Sequence, residues 1–334
     1  MVNSKKVLVT GGAGYVGSHV VKQLGQAGYE IVVYDNLSTG VAHAVLYGKL
    51  VVGDLADTEK LAQLFEQHDF YAVLHLAASI VVPESVERPL DYYGNNTMNV
   101  INILRCCERY GVKRFVFSST AAVYGEPKEN PVSETAPTNP INPYGMSKLM
   151  SERIIQDYAK ASDLQYVILR YFNVAGADPD GQIGPWLPEA THLIRAACDV
   201  ALGRKPDVKI FGTDFDTPDG TGIRDFIHVV DLAAAHLDGL RYLNSGGHSQ
   251  ILNCGYGQGY SVRQVINCLQ RVSKKNFWVK EVDRRPGDPA CVVAQADKIR
   301  KLLDWNPQYV DLDCIVRTTL TWEKQRIRIN RIAA

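Results

Sequence analysis

In the stretch NPYGMSKLMSERI, residues 142–154, a tyrosine and a lysine stand four positions apart at what reads as the start of a helix. A phenol and an ammonium at that spacing admit two readings. One is an acid–base pair, in which the tyrosine takes and returns a proton. The other is coincidence, since both residue types are common and an i, i+4 pair needs no purpose. What the chain builds around Tyr144 and Lys148 decides between them.

The chain has 334 residues, 46% hydrophobic and 22% charged, with a formal net charge of +0. This is globular composition, long enough for one large domain or two linked ones. A neutral balance gives no reason to expect nucleic acid or an anionic membrane as partner. No apolar run approaches the roughly 20 residues of a membrane helix. The opening MVNSKKVLVTGG lacks the apolar core and cleavage site of a signal peptide and reads as a mature end. Seven scattered cysteines, without a C-x-x-C, argue against disulfides and zinc and fit a reducing cytoplasm. No metal site is expected.

The elements that must position the pair come from the first half. Apolar runs at 7–10, 31–34, 50–52, 72–77, 114–119 and 166–171 read as buried parallel strands. Helix-period stretches at 17–27, 57–67, 91–110 and 144–162 lie between them. Short apolar strands alternating with helices imply βαβ units and right-handed crossovers. The fold class is therefore α/β, a Rossmann-type doubly wound parallel sheet with a smaller mixed α/β substrate-binding part. Residues 1–173 are expected to form the dinucleotide-binding domain and 174–334 the second region, with a segment near 226–254 packing back on the first. Past Asn173 two loops rich in glycine, proline and aspartate frame a helix expected near 188–203 and a strand near 208–211. Ser261 reads as the N-cap of a helix carrying Val262, Val265, Ile266, Leu269 and Val272.

TGGAGYVGSH, residues 10–19, follows the first strand and opens the first helix. With Gly11, Gly14 and Gly17 three apart, it would turn tightly and seat a pyrophosphate on a helix N-terminus. A glycine pattern alone is weak; the strand before it, the helix after it and Asp35 at the end of the second strand strengthen it. An acid about 20 residues on holds adenosine ribose hydroxyls. Asp35 would also repel a 2′-phosphate, and NLSTG (36–40) offers no cation to bind one, so the cofactor reads as NAD rather than NADP. Asp54, in VGDLAD, either lies beside the adenine or caps the next helix.

These stretches, with HLAAS, PLDYYGNN, FSSTAAVYGE, RYFNVAGADPDG, GTGIRDFIHVVDLA and RRPGDPA, resemble the extended short-chain dehydrogenases/reductases, and within them the UDP-glucose (UDP-galactose) 4-epimerases. The likeness runs from Thr10 to about Trp305. It implies that Tyr144 is the acid–base, Lys148 its partner and Thr120 the third member, a hydroxyl on the reacting sugar, with Ser119 as runner-up. A strand-end hydroxyl can equally cap a turn. Residues at i and i+4 share a helix face with Cβ atoms roughly 6 Å apart. An ammonium there is expected to lower a phenol from about 10 by about 1 to 3 units, with NAD⁺ adding a second cation. Related 4,6-dehydratases carry an Asp-Glu pair after this hydroxyl. Here Ala121 and Ala122 stand there, which favours epimerisation over loss of water.

The resemblance implies NAD contacts at Gly11, Gly14, Tyr15, Val16, Gly17, Asp35, Asn36, Asp54, Leu55, Leu76, Ala77, Ala78, Asn95, Ser118, Tyr144, Lys148 and Tyr171. For the UDP-sugar it implies Thr120, Tyr144, Asn173, His192, Leu193, Phe211, Arg224, Phe226, Arg285, Asp288 and Val292. Arg224 and Arg285 suit phosphate oxygens as guanidinium forks, and Phe211 would stack on uracil. Ile80 stands where some members have lysine, and His192 where others have asparagine. Val292 replaces a large tyrosine, so room for a 2-acetamido group is expected. The implied activity is reversible C4 epimerisation of UDP-galactose and UDP-glucose with tightly held NAD, in a homodimer. The alternatives are 4-epimerisation of UDP-glucuronate or a UDP-pentose, a net sugar-nucleotide dehydrogenase, and a non-catalytic NAD sensor.

Overall fold

The computed structural model describes residues 5–186, 192–285 and 287–333. In chain order the first part runs β1 (Lys6–Thr10), α1 (Tyr15–Gln26), β2 (Glu30–Asp35), β3 (Lys49–Val52), α2 (Thr58–Gln67), β4 (Ala72–His75), α3 (Val82–Glu87), α4 (Pro89–Tyr92), a π-helical turn (Tyr93–Met98), α5 (Asn99–Arg109), β5 (Arg114–Thr120), α6 (Pro143–Lys160) and β6 (Gln165–Tyr171). The second comprises β7 (Asn173–Ala175), α7 (Leu193–Ala201), β8 (Asp207–Phe211), β9 (Ile223–His228), α8 (Val229–Asn244), β10 (Gln250–Cys254), β11 (Gly259–Ser261), α9 (Val262–Ser273), β12 (Trp278–Val282), β13 (Cys291–Val292), α10 (Asp297–Leu303) and α11 (Leu312–Ala333).

Seven parallel strands form the main sheet, in the order β10-β6-β5-β4-β1-β2-β3. Alternation of side chains explains why each strand is apolar throughout. Val7 and Val9 enter one core and Leu8 the other; Val116 enters the first, and Phe115 and Phe117 the second. Helices α1 and α8 pack together, as do α2, α5 and α6. The strand order reverses between β1 and β4, which opens a crevice at the carboxyl ends of the strands. β10 completes this sheet beside β6, although it lies far along the chain.

Short strands β7, β9, β11 and β13 form a second sheet, and β8 pairs with β12. The capping box foreseen at Ser261 is present, its hydroxyl accepting from Gln264 N–H and the Gln264 side chain from Ser261 N–H.

Three expectations need correction. The helix expected near 188–203 begins at Leu193, and 188–191 lie outside the described residues. The stretch 91–110 is not one α-helix, because a π turn interrupts it at Tyr93–Met98. There Asn96 donates to Ser79 O at 2.9 Å and Ser147 Oγ at 3.0 Å, so side-chain amides clamp the turn against α6. Third, β4 stops at His75, leaving Leu76 and Ala77 in the crevice wall.

The long helix α11 closes the second part with Ile315, Val316, Leu320 and Trp322 buried. Trp322 donates its Nε1–H to Pro185 O at 3.1 Å. Trp322→Ala is expected to lower unfolding stability by about 3 to 5 kcal/mol, read by denaturant titration. A change under about 1 kcal/mol would show that this helix adds little to the fold.

Candidate active site

The glycine loop is shaped by close approach. Gly11 has φ +71°, and a Cβ on it would lie 2.5 Å from Ala77 N. A Cβ on Gly17 would lie 2.0 Å from Gly11 O. Only hydrogen atoms fit, so backbone passes backbone and α1 starts with open N–H groups, the cradle a pyrophosphate needs. Asp35 accepts from Ala13 N–H at 2.9 Å and Leu37 N–H at 2.8 Å, tying the loop to the end of β2 with lone pairs left for hydroxyls. Asp54 does not cap α2. Asp57 does, accepting from Lys60 N–H at 3.0 Å. The Asp54 carboxylate instead accepts from Ala56 N–H and from Asn36, both at 2.8 Å. Asn95 donates to Ser79 Oγ at 2.9 Å on the adjoining wall. These residues fit a dinucleotide bound across the switch point.

Helix α6 starts at Asn142, whose side chain accepts from Gly145 N–H at 2.9 Å, and Pro143 fills its first position. Tyr144, Lys148 and Glu152 then share one buried face at successive i+4 steps. Glu152 accepts from Arg170 Nη2 at 2.6 Å and from Ser119 Oγ at 2.5 Å. Ser119 is thereby committed to a structural carboxylate. Thr120 is the strand-end hydroxyl that remains, accepting from Ala122 N–H at 3.1 Å and sharing a hydrogen bond with Tyr144. It both caps the turn and meets the phenol.

The electrostatics depart from expectation. Burial pushes Tyr144 above its ordinary value, offset by the Thr120 hydrogen bond. Lys148 does not bring it down. Its ammonium reaches Ser118 O at 2.9 Å and lies 4.9 Å from the Phe117 ring centre. Burial lowers Lys148 itself to about 7, with Glu152 opposing. At 7% and 2% exposure, desolvation dominates both groups.

Past Tyr171 the chain lines a cavity of about 620 Å³ with Asn173, Phe226, Arg224, Asp288, Arg285 and Phe211. Tyr15, His192 and Leu193 also line it. The Tyr15 hydroxyl donates to Gly176 O at 2.6 Å, joining the glycine loop to the cavity wall. Arg224 pairs with Asp288 at 2.5 Å, and Arg285 lies 3.7 Å from the Phe211 ring centre, covering the face expected to take uracil. Val292 is paired in register with Arg224, behind the cavity lining. Lys205 and Lys209, in RKPDVK, also line the cavity and were not foreseen. Their cluster of positive charge was a usable signal for a diphosphate, but surface lysines are too common to be singled out.

Lys148 tests the electrostatic reading. A folded pKa near 7 against 10.5 unfolded means the unfolded chain holds more protons between those values, so stability rises with pH there. Lys148→Met removes a desolvated charge. Its stability relative to the parent is expected to be greatest near pH 6 and to shrink towards pH 9, followed by melting temperature. A gap that widens with pH would contradict this.

A profile of the NAD dependent epimerase/dehydratase family matches residues 7–255. A protein named UDP-glucose 4-epimerase from Azospirillum brasilense is 55% identical over 322 residues, 96% of this chain and 92% of that one. The crystal structure of UDP-glucose 4-epimerase from Brucella ovis in complex with NAD superposes with a TM-score of 0.93 at 43% identity, covering 95% and 98% of the two chains. The structure of the UDP-Glc/GlcNAc 4-epimerase from Campylobacter jejuni superposes at 0.86 with 47% identity, covering 96% and 100%. With its glycine cradle and Asp35 at the switch point of a parallel sheet, this chain belongs to the NAD-dependent epimerase/dehydratase family.

Proposed function

We propose that the chain interconverts UDP-galactose and UDP-glucose by epimerisation at C4 of the hexose. One observation carries the reading: the Tyr144 and Thr120 hydroxyls meet beside Lys148, while Asn173, just past the end of β6, leads into a cavity bearing Arg224 and Arg285. Residues 1–173 would hold the dinucleotide and 174–334 the UDP, with α8 and β10 returned to the main sheet. NAD would be held by Gly11, Gly14, Gly17 and Asp35 and would take the C4 hydride, give it back to the other face of the 4-keto sugar and, when oxidised, add a positive charge favouring the phenolate. Tyr144 takes the proton of the 4-hydroxyl, and Thr120 orients that hydroxyl. Lys148 holds a proton beside them. The arginines grip the diphosphate, so the 4-keto sugar can turn and present its other face, and Tyr144 returns the proton. The relatives named UDP-glucose 4-epimerase support this reading.

Val292 supports a second substrate. Its small side chain stands behind the cavity lining beside Arg224, where a large one would press the lining inward, and one relative is named a UDP-Glc/GlcNAc 4-epimerase. UDP-GalNAc is therefore expected to react as well. The test is purified protein with no added NAD, given UDP-galactose or UDP-GalNAc, with products resolved by chromatography and NADH absorbance followed. UDP-glucose without accumulating NADH is expected, and Tyr144→Phe should reduce turnover by about 10² to 10⁴. Accumulating NADH would make the chain a net dehydrogenase. If neither sugar reacts even with NAD, UDP-glucuronate and UDP-xylose are next, and inert UDP-GalNAc alone ends the Val292 argument.

The reading includes a homodimer in the cytoplasm. Among the described residues all seven cysteines are free and no helix is long and apolar enough to cross a membrane. Val86, Leu90 and Met98, between α3 and α5, and Met150 of α6 are exposed, Leu90 at 81%. Such side chains on adjoining helices suit a second copy of the same surface. Leu90→Glu with Met98→Glu is expected to halve the mass read by light scattering. A parent that is already monomeric would end the proposal.

A further inference from the structure

His236 is fully buried in α8, against the underside of β5 and β6, and touches none of the groups assigned to the sugar. Its ring nitrogens have distinct partners. Nδ1 lies 2.8 Å from Leu232 O, and a carbonyl only accepts, so Nδ1 carries the hydrogen. Burial lowers this histidine to about 4, so the ring stays neutral and Nε2 is a bare acceptor. Ser118 Oγ, 2.6 Å from Nε2, must then donate its hydrogen to the ring. The direction of every hydrogen in the chain from Ser118 through His236 to Leu232 is therefore set by one backbone carbonyl.

The serine end of that chain bears on the site. The Ser118 carbonyl holds the Lys148 ammonium at 2.9 Å.

We propose that His236 is a positioning residue of the epimerisation: its Nε2 acceptor fixes the Ser118 hydroxyl and so steadies the Ser118 carbonyl that carries Lys148. The role in turnover rests on the reading given under Proposed function; the hydrogen-bond direction does not.

The test uses the full chain with His236→Phe, His236→Gln, Ser118→Ala and the Phe/Ala double variant. Phenylalanine fills the space without an acceptor, whereas the glutamine amide oxygen reaches the Nε2 position. His236→Phe is expected to lower kcat about tenfold with KM for UDP-galactose within about twofold, and Gln to recover most of it. The double variant should be no slower than Ser118→Ala, because both changes cut one chain. An unchanged kcat, equal losses for Phe and Gln, or additive losses would overturn the proposal. Histidine ¹⁵N spectra of the parent and of Ser118→Ala need neither turnover nor a folded Phe variant. They should show His236 with a bare Nε2 whose resonance moves when Ser118 is lost. A protonated Nε2 overturns the proposal whether or not the chain proves to be an epimerase.

Discussion

Glu152 has no exposed surface, and Arg170 grips both of its carboxylate oxygens from β6. Everything catalytic in the proposed reading hangs on that pair. Glu152 lies two i+4 steps beyond Tyr144, so fixing it fixes the rotation of α6 about its axis. It also takes the Ser119 hydroxyl, which pins the end of β5 to the same helix. Arg170 continues to the Tyr124 hydroxyl at 3.0 Å, and that hydroxyl donates to Asn253 Oδ1 at 2.6 Å on β10. Removing one partner of such a buried pair costs about 3 to 5 kcal/mol, since the other charge is left without compensation. The pair thus sets the geometry in which Tyr144 and Lys148 face β5.

Around that frame the site is divided between elements with different duties. The glycine loop and Asp35 depend on close backbone approach, while β9 and the loop between β12 and β13 carry the guanidinium groups of Arg224 and Arg285. In the proposed reading this separation is useful: a tight hold on the diphosphate leaves the sugar free to turn over beside one acid–base. Burial meanwhile raises Tyr144 and lowers Lys148, so the protein alone keeps both groups near their neutral forms. A buried base of this kind gains its working charge state when a cation is bound beside it.

Some of this was legible in the residues. Glycines at 11, 14 and 17 after an apolar run, and Asp35 after the next, are local features whose geometry follows from neighbours in the chain. So is the Ser261 cap. The π turn was not legible, because it follows from Asn96 reaching Ser79 and Ser147 across space. Nor was the choice between Ser119 and Thr120. Adjacent strand residues point to opposite faces, and only packing shows which face meets Glu152.

By itself, then, the sequence determined the alternation of strand and helix, the parallel sheet, the phosphate cradle and the i, i+4 pairing of Tyr144 with Lys148, because periodicity and steric limits act over a few residues. The tertiary structure alone decided that β10 joins a sheet nearly 80 residues behind it, from Tyr171 to Gln250, that Lys148 reaches a carbonyl rather than the phenol, and that Arg285 covers Phe211. Those outcomes turn on burial and on partners distant in the chain, and desolvation has no value until the fold has removed the water.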